Sequence, residues 1–304
     1  MQKIAVLSHV VLDEIHRPAR EAPDTQIGGA GAYAALGASL AAGAGESLIV
    51  SGVGRADRPM IESWADSRGI DPRGLFDVGE RSPRTRIDYF PNGERVETPV
   101  FGMAHFDAHT PLPQHVPGSV AHLAGTYLFH AHDDRYWDEV ARWRPAVATP
   151  VLWEISRDSC RPRHLARVQE LGGLVEVLSI NLAEASALVE REIGELPHAL
   201  AGLAPVVLLR AGDRGSLVIQ GSTRIEVPAP PVDAIDPTGG GNSYSGAFLA
   251  AYASTGDLEW SARAAAATAA VVVSTAGTPT VDDDARAAIT AAAHTITTRR
   301  KVST

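Results

Sequence analysis

Three glycines in a row, Gly239-Gly240-Gly241, constrain this chain more than any other stretch. They follow the turn-forming Asp236-Pro237-Thr238 and lead through Asn242 into Ser243-Tyr244-Ser245-Gly246-Ala247-Phe248. Tyr244, Phe248 and Tyr252 recur at i, i+4 and i+8, so they line one face of a helix. The glycines then occupy that helix's entry, where unpaired N–H groups and the positive end of the helix dipole point the same way. Such an end holds anions, phosphate above all. A connector ahead of a core helix is the plainer alternative, but a connector rarely needs three flexible residues in succession.

What surrounds the motif narrows the classes. A chain of 304 residues with 45% hydrophobic content can bury one large α/β core. Its net charge of -9 argues against nucleic acid or an anionic membrane as a general partner. Only Lys3 and Lys301 are lysines, the rest of the 27 basic residues being Arg, so a Schiff-base lysine and a P-loop Gly-Lys-Ser/Thr are both excluded. Cys160 stands alone, which excludes an intramolecular disulfide and a Cys-based zinc cluster. Ile4-Ala5-Val6-Leu7 is too short for a signal peptide and reads as a first buried strand. The uncharged stretches 26–45 and 264–281 are long enough to cross a bilayer, yet their Ala/Gly content with Thr, Ser or Pro interruptions reads as interior helices. The expectation is a cytoplasmic protein.

Along the chain, Val6 to Val11 continues the first strand and sets Asp13 at its C-terminal end, as a ligand contact or a surface turn. Gly28-Gly29 opens an Ala-rich helix. Gly29-Ala30-Gly31-Ala32-Tyr33-Ala34 formally matches a dinucleotide fingerprint, but Pro23 to Gln26 ahead of it is no buried strand. Ser47 to Val53 reads as a strand and Met60 to Arg68 as a helix. Arg84 to Phe90 and Val96 to Phe101 alternate across Pro91-Asn92-Gly93-Glu94, a hairpin signal that reads as a lid or an oligomer surface. His130-Ala131-His132-Asp133-Asp134 follows a strand and is read either as a metal cluster or as a substrate-contacting or capping loop. Strands at 151–154, 175–180 and 206–209 follow, then a hairpin over 216–219 and 223–227. Strands alternating with helices predict a mainly parallel sheet covered on both faces. One domain, 1–304, is expected, with a lid from about 12–27 and 84–108 and a frayed basic tail over 294–304.

Five motifs in order resemble the ribokinase-like (PfkB) sugar and nucleoside kinases over nearly the whole chain. These are Asp13 after the first strand, Gly28-Gly29 at a helix start, Asn181-x-x-Glu184 after a strand, Gly212-x-x-Gly215 at a strand end, and Asp236 through Phe248. The resemblance implies an αβα sandwich with a small β lid and an ATP- and Mg²⁺-dependent transfer to a hydroxyl of a sugar, nucleoside or related small molecule. It implies nucleotide contacts from Arg210, Gly212, Gly215, Thr238, Ala276 and Gly277, with the phosphates over Gly239 to Gly241. Asn181 and Glu184 would organise phosphate and metal. Asp13, Gly28, Gly29, Tyr33, Phe101, His130 and Asp236 would face the acceptor, and a homodimer would form through the lid.

Departures carry the open question. The family's general base is an Asp closing the glycine motif, and here that residue is Asn242. Tyr33 stands where the family often has Asn, and Glu154 near where an Asp usually ends its strand. The combination resembles a divergent branch with fungal members. An amide is not basic near neutral pH, and general-base assistance is typically worth ~10²–10⁴-fold. Asn242 can still accept the hydroxyl's hydrogen bond, with Asp236, Asp133 or solvent taking the proton. On that reading Asn242→Asp retains or raises turnover. The alternative is a pseudokinase that binds nucleotide or metabolite without turnover. The chain has three Asn, at 92, 181 and 242, and two of them lie on motif positions.

Overall fold

The alternation of side chains along each strand decides how the layers form. The computed structural model describes residues 2–16, 22–43, 45–90, 95–120 and 122–302. The first half of the chain gives β1 (Lys3–Leu7), β2 (Val11–His16), β3 (Asp24–Gly28), α1 (Gly29–Ala42), β4 (Ser47–Val53), α2 (Arg58–Asp66), β5 (Ile70–Asp77), β6 (Arg84–Tyr89), β7 (Arg95–Pro99), α3 (Met103–Ala108), β8 (Leu123–His130) and α4 (Asp134–Trp143). The second half gives β9 (Val151–Ile155), α5 (Leu165–Gly172), β10 (Val177–Asn181), α6 (Leu182–Val189), α7 (Leu196–Ala199), β11 (Val206–Arg210), β12 (Ser216–Gln220), β13 (Thr223–Val227), α8 (Gly240–Thr255), α9 (Leu258–Val273), α10 (Asp283–Thr295) and β14 (Arg299–Val302).

A 10-stranded sheet runs β14-β13-β12-β11-β10-β9-β8-β1-β4-β5. From β11 to β5 all neighbours are parallel, and β12 to β14 are antiparallel. Ile4 and Val6 of β1 join the core under α1, α8, α9 and α10, while Ala5 and Leu7 join the core under α4, α5 and α6. Along β9, Leu152 belongs to the first core and Trp153 to the second. Glu154, one step on, therefore turns back to the α8 face. By the same parity Tyr127 of β8 and Arg210 of β11 point to that face, near the C-terminal ends of their strands.

Helix α8 presses on α1 through two missing side chains. A Cβ at Gly37 would lie 2.1 Å from Ser243 O, and one at Gly246 would lie 2.0 Å from Ala34 O. Polar contacts lock α8 to the sheet: Ser245 Oγ to Ser179 Oγ at 2.9 Å and Tyr244 OH to Ser216 Oγ at 2.7 Å.

Several boundaries differ from those expected from sequence. β1 stops at Leu7, because Ser8 to Val10 bend to hold neighbouring chain: His9 O accepts from Gly31 N at 3.0 Å, and Val10 N donates to Ser51 Oγ at 2.9 Å. Val11 thus starts a strand of a second, four-stranded sheet, β3-β2-β6-β7, and Asp13 lies within that sheet rather than at the end of β1. Residues 24–28 do form a strand, but one at this small sheet's edge, largely half-exposed. β5 went unanticipated because Pro72 and Gly74 interrupt its pattern. The tail expected to fray is ordered through Val302: α10 continues to Thr295, and β14 pairs antiparallel with β13, Lys301 reaching Glu226 at 2.6 Å. Of the segments 12–27 and 84–108, the described residues supply the small sheet's strands and α3. The Asn92-Gly93 turn lies outside the described residues. Among the described residues no helix is long and apolar enough to cross a membrane.

Candidate active site

α8 begins with nothing to cap it. Its N-cap is Gly239, in the left-handed region at φ 76° and ψ -5°, with no side-chain hydrogen bond to the first turn. Glycine is required there twice over: L-residues avoid that conformation, and a Cβ would sit 2.0 Å from Cδ1 of the Tyr33 ring. The approach is a stiff turn, Thr238 N donating to Asp236 Oδ1 at 2.9 Å, while Ile235 N and Asp236 N both donate to Val273 O at the end of α9. Gly240 N is used by Pro237 O at 3.3 Å. The amides of Gly241 and Asn242 follow at the positive end of the helix, a geometry suited to an anion.

Beneath this turn lies a buried polar floor. Glu154 is 2% exposed. Its Oε1 accepts from Asn242 Nδ2 at 2.9 Å and pairs with Arg210 Nη1 at 3.0 Å, and its Oε2 accepts from Tyr127 OH at 2.9 Å. Asn242 Nδ2 also lies 3.5 Å from Tyr127 OH. A carboxylate only accepts, so the Asn242 amide must turn its NH₂ downward and its carbonyl oxygen away. Burial, reinforced by the Glu154 charge, holds the Tyr127 hydroxyl well above the usual phenol range, so it stays a donor. Arg210 comes close enough that a Cβ at Gly241 would lie 2.1 Å from Nη1, and its Nε has no partner among the described residues.

Asn181 and Glu184 form a capping box. Asn181 Oδ1 accepts from Glu184 N at 2.9 Å, and Glu184 Oε2 accepts from Asn181 N at 3.0 Å. Burial raises the Glu184 carboxyl above its ordinary value, with Glu154 contributing and Arg210 opposing. Gly212 (φ 61°) and Gly215 (φ 90°) shape the turn between β11 and β12, and Ala276-Gly277 follow α9.

On the other side of Gly239, one line of contacts joins three expected residues: a Cβ at Gly28 would lie 2.1 Å from Asp13 Oδ2 and 3.8 Å from the Tyr33 ring. Gly29 packs against His9 O. The two histidines of the His-x-His pair turn to different partners, His130 stacking on Tyr136 with centroids 3.8 Å apart and His132 facing Ser159 Oγ at 3.1 Å. Among the described residues no group of three His, Cys, Asp or Glu is gathered as for a metal. Phe101 is exposed beside His105, at 4.9 Å. Asp133, like Asp236, is already engaged, capping α4 through Tyr136 N at 3.0 Å. Sequence reasoning missed the partnership of Glu154 and Tyr127 with Asn242. Its visible signal was a carboxylate inside the otherwise apolar strand Val-Leu-Trp-Glu-Ile.

Residues 1–285 match the model of the pfkB family of carbohydrate kinases. A cytidine kinase of Thermococcus kodakarensis is 29% identical over 266 residues, covering 85% of this chain and 91% of that protein. A nucleoside kinase of Methanothermobacter thermautotrophicus is 26% identical over 260 residues, covering 83% and 80%. Among solved structures, the nucleoside kinase of Methanocaldococcus jannaschii, a member of the ribokinase family, superposes with a TM-score of 0.73 at 23% identity, covering 95% of this chain and 98% of that one.

Proposed function

The chain belongs to the pfkB family of carbohydrate kinases, and we propose that it transfers the γ-phosphoryl group of ATP to a hydroxyl of a nucleoside or a related sugar. The observation that carries this reading is the uncapped, all-glycine start of α8, set over a half-buried Arg210 at the C-terminal end of a parallel sheet. Backbone amides and a fixed guanidinium stabilise charge on a transferring phosphoryl group, the part of this chemistry that depends most on the protein. The nucleoside preference rests on the cytidine and nucleoside kinases among its relatives.

In this reading Gly239, Gly240 and Gly241 cradle the phosphoryl group, and Thr238, Gly212, Gly215, Ala276 and Gly277 line the nucleotide. Magnesium travels with the nucleotide, needing only one or two carboxylates, and Glu184, with Oε1 left over from its cap, is the carboxylate assigned to it. Asp13, Gly28, Gly29, Tyr33 and His130 face the acceptor, and Phe101 lies in the turn between β7 of the covering small sheet and α3. Exposed Phe90, Val96, Val100, Phe101 and Met103 on that side support a homodimer through the lid, which a monomer mass in solution scattering would overturn.

The test is ADP release with ATP, Mg²⁺ and a panel of nucleosides and sugars. Turnover is expected on at least one nucleoside, and none in Gly240→Val, whose side chain would begin 2.6 Å from Val273 Cγ1. A fully active Gly240→Val protein would remove the reading. ATP binding without turnover on any acceptor would favour the pseudokinase.

A further inference from the structure

We propose that Glu154 is a positioning residue for phosphoryl transfer: it anchors the Asn242 amide so that Oδ1 is presented to the acceptor hydroxyl, moving the carboxylate from the glycine motif into its floor. The inference rests on the kinase reading above.

The geometry leaves little choice. Asn242, the third residue of α8, is tied through Nδ2 to Glu154 Oε1 at 2.9 Å. Glu154 is in turn fixed from two other strands, by Arg210 of β11 at 3.0 Å and by Tyr127 of β8 at 2.9 Å. Asn242 and Tyr127 donate to the carboxylate and Arg210 supplies its countercharge, so releasing the amide would cost a buried carboxylate one of its two hydrogen-bond donors. Among the described residues no donor reaches Oδ1, which is therefore the end left for a ligand. An aspartate at 242 would instead set two carboxylates a hydrogen-bond length apart, and one of them would have to hold a proton. Asparagine at 242 is thus the partner that a glutamate at 154 requires.

The step needs no ionised base. The hydroxyl donates to Asn242 Oδ1 and attacks the γ-phosphorus. A bond forms between the acceptor oxygen and phosphorus, and the bond from phosphorus to the β,γ-bridging oxygen breaks. ADP leaves with that electron pair. The hydroxyl proton passes to a non-bridging oxygen of the transferred group and then to water, in keeping with a loose transition state in which charge sits on those oxygens.

The test compares wild type, Glu154→Gln, Asn242→Asp and the exchanged pair Asn242→Asp/Glu154→Gln, using ATP and the nucleoside that the wild type turns over. Glu154→Gln should lower kcat on the order of 10²-fold with the KM for ATP little changed, the cost of a misplaced group. Asn242→Asp alone, which the sequence by itself leads one to expect would retain or raise turnover, should instead be impaired, because its carboxylate would meet that of Glu154. The exchanged pair should recover to within about tenfold of wild type and gain an acidic limb in its pH profile that the wild type lacks, the mark of a carboxylate now acting as base. Glu154→Asp, which keeps a countercharge for Arg210 but withdraws it by one methylene, should show the same kcat loss if Glu154→Gln fails to fold. A Glu154→Gln protein with wild-type kcat, or an Asn242→Asp protein as active as the exchanged pair, would overturn the proposal.

Side-chain amide NMR separates this inference from the kinase reading. The Asn242 NH₂ pair, assigned by its loss in Asn242→Ser, should exchange slowly with solvent in wild type and faster in Glu154→Gln. That comparison decides the anchoring even in a protein that proves unable to transfer phosphate. Equal exchange in the two proteins refutes it.

Discussion

Two helices, α6 and α8, start at the same edge of the large sheet, and their first turns are solved in opposite ways. In α6 the N-cap and third residues are Asn181 and Glu184, and each side chain caps the other's backbone amide. In α8 those places hold Gly239 and Asn242. The glycine has no side chain, and the asparagine turns down to Glu154 instead of back to its own helix. The side chains of α6 satisfy the amides of Asn181 and Glu184; in α8 Gly240 N turns to Pro237 O, and the amides of Gly241 and Asn242 are left for something from outside. Sequence reading treated both as phosphate-organising motifs, whereas geometry separates a closed helix end from an open one.

The largest break in that contrast should come from Gly239→Ala. The backbone at φ 76° would be strained, and the methyl would begin 2.0 Å from the Tyr33 ring. Losing the aim of these amides should lower turnover on the order of 10³-fold, as for a removed oxyanion donor. A steady-state assay showing less than a tenfold loss would mean that the open end is not where phosphate sits. Gly246→Ala acts one step away. Its Cβ would meet Ala34 O at 2.0 Å, so α8 must lift from α1. Overpacking of this kind costs about 1–3 kcal/mol, read by chemical denaturation, and turnover should fall with it as the glycine end tilts.

Asn181→Ala strikes the closed end and should do less. Losing an N-cap side chain costs about 1 kcal/mol of stability. If the box only caps, kcat stays near wild type. A loss of turnover much greater than the loss of stability would instead tie Asn181 to the phosphates, the role that the family resemblance implies.

Much of this fold was legible because its signals are local. Alternation marked β6, β7, β12 and β13, and continuous apolar runs marked β4, β9 and β11. β5 was obscured by Pro72 and Gly74, and β14 by a run of basic residues that reads as solvated tail until β13 offers it an edge. The site was legible where it is made of backbone: three glycines before a helix announce an open end by composition alone. The floor was not. The contact between Glu154 and Asn242 spans 88 residues and depends on which face of β9 the carboxylate takes, a parity that only the assembled sheet reveals. The pattern Asn-x-x-Glu has a further ambiguity, since a capping box and a phosphate-organising pair are written with the same residues.

The smallest expected effect sharpens the comparison by charge. Glu184 can ionise at the third position of α6, whereas Asn242 at the same position of α8 cannot. Burial raises the Glu184 carboxyl above its ordinary value, so the folded protein keeps that proton to a higher pH than the unfolded chain does. Between the two values the folded state binds more protons, and stability therefore falls as pH rises. This contribution is fully present below an unfolded value of about 4.3 and is lost as pH climbs through the folded one. Glu184→Gln keeps the reciprocal cap, since glutamine also serves at that position, but removes the titration. Melting curves from about pH 4 to about pH 7 should then show the wild type losing part of its low-pH advantage just above the unfolded value, and the variant lacking that component of the slope. Parallel slopes in the two proteins would place the titration elsewhere. The matching substitution in α8, Asn242→Asp, should add a titration to a helix end that has none, because its carboxylate would stand beside Glu154.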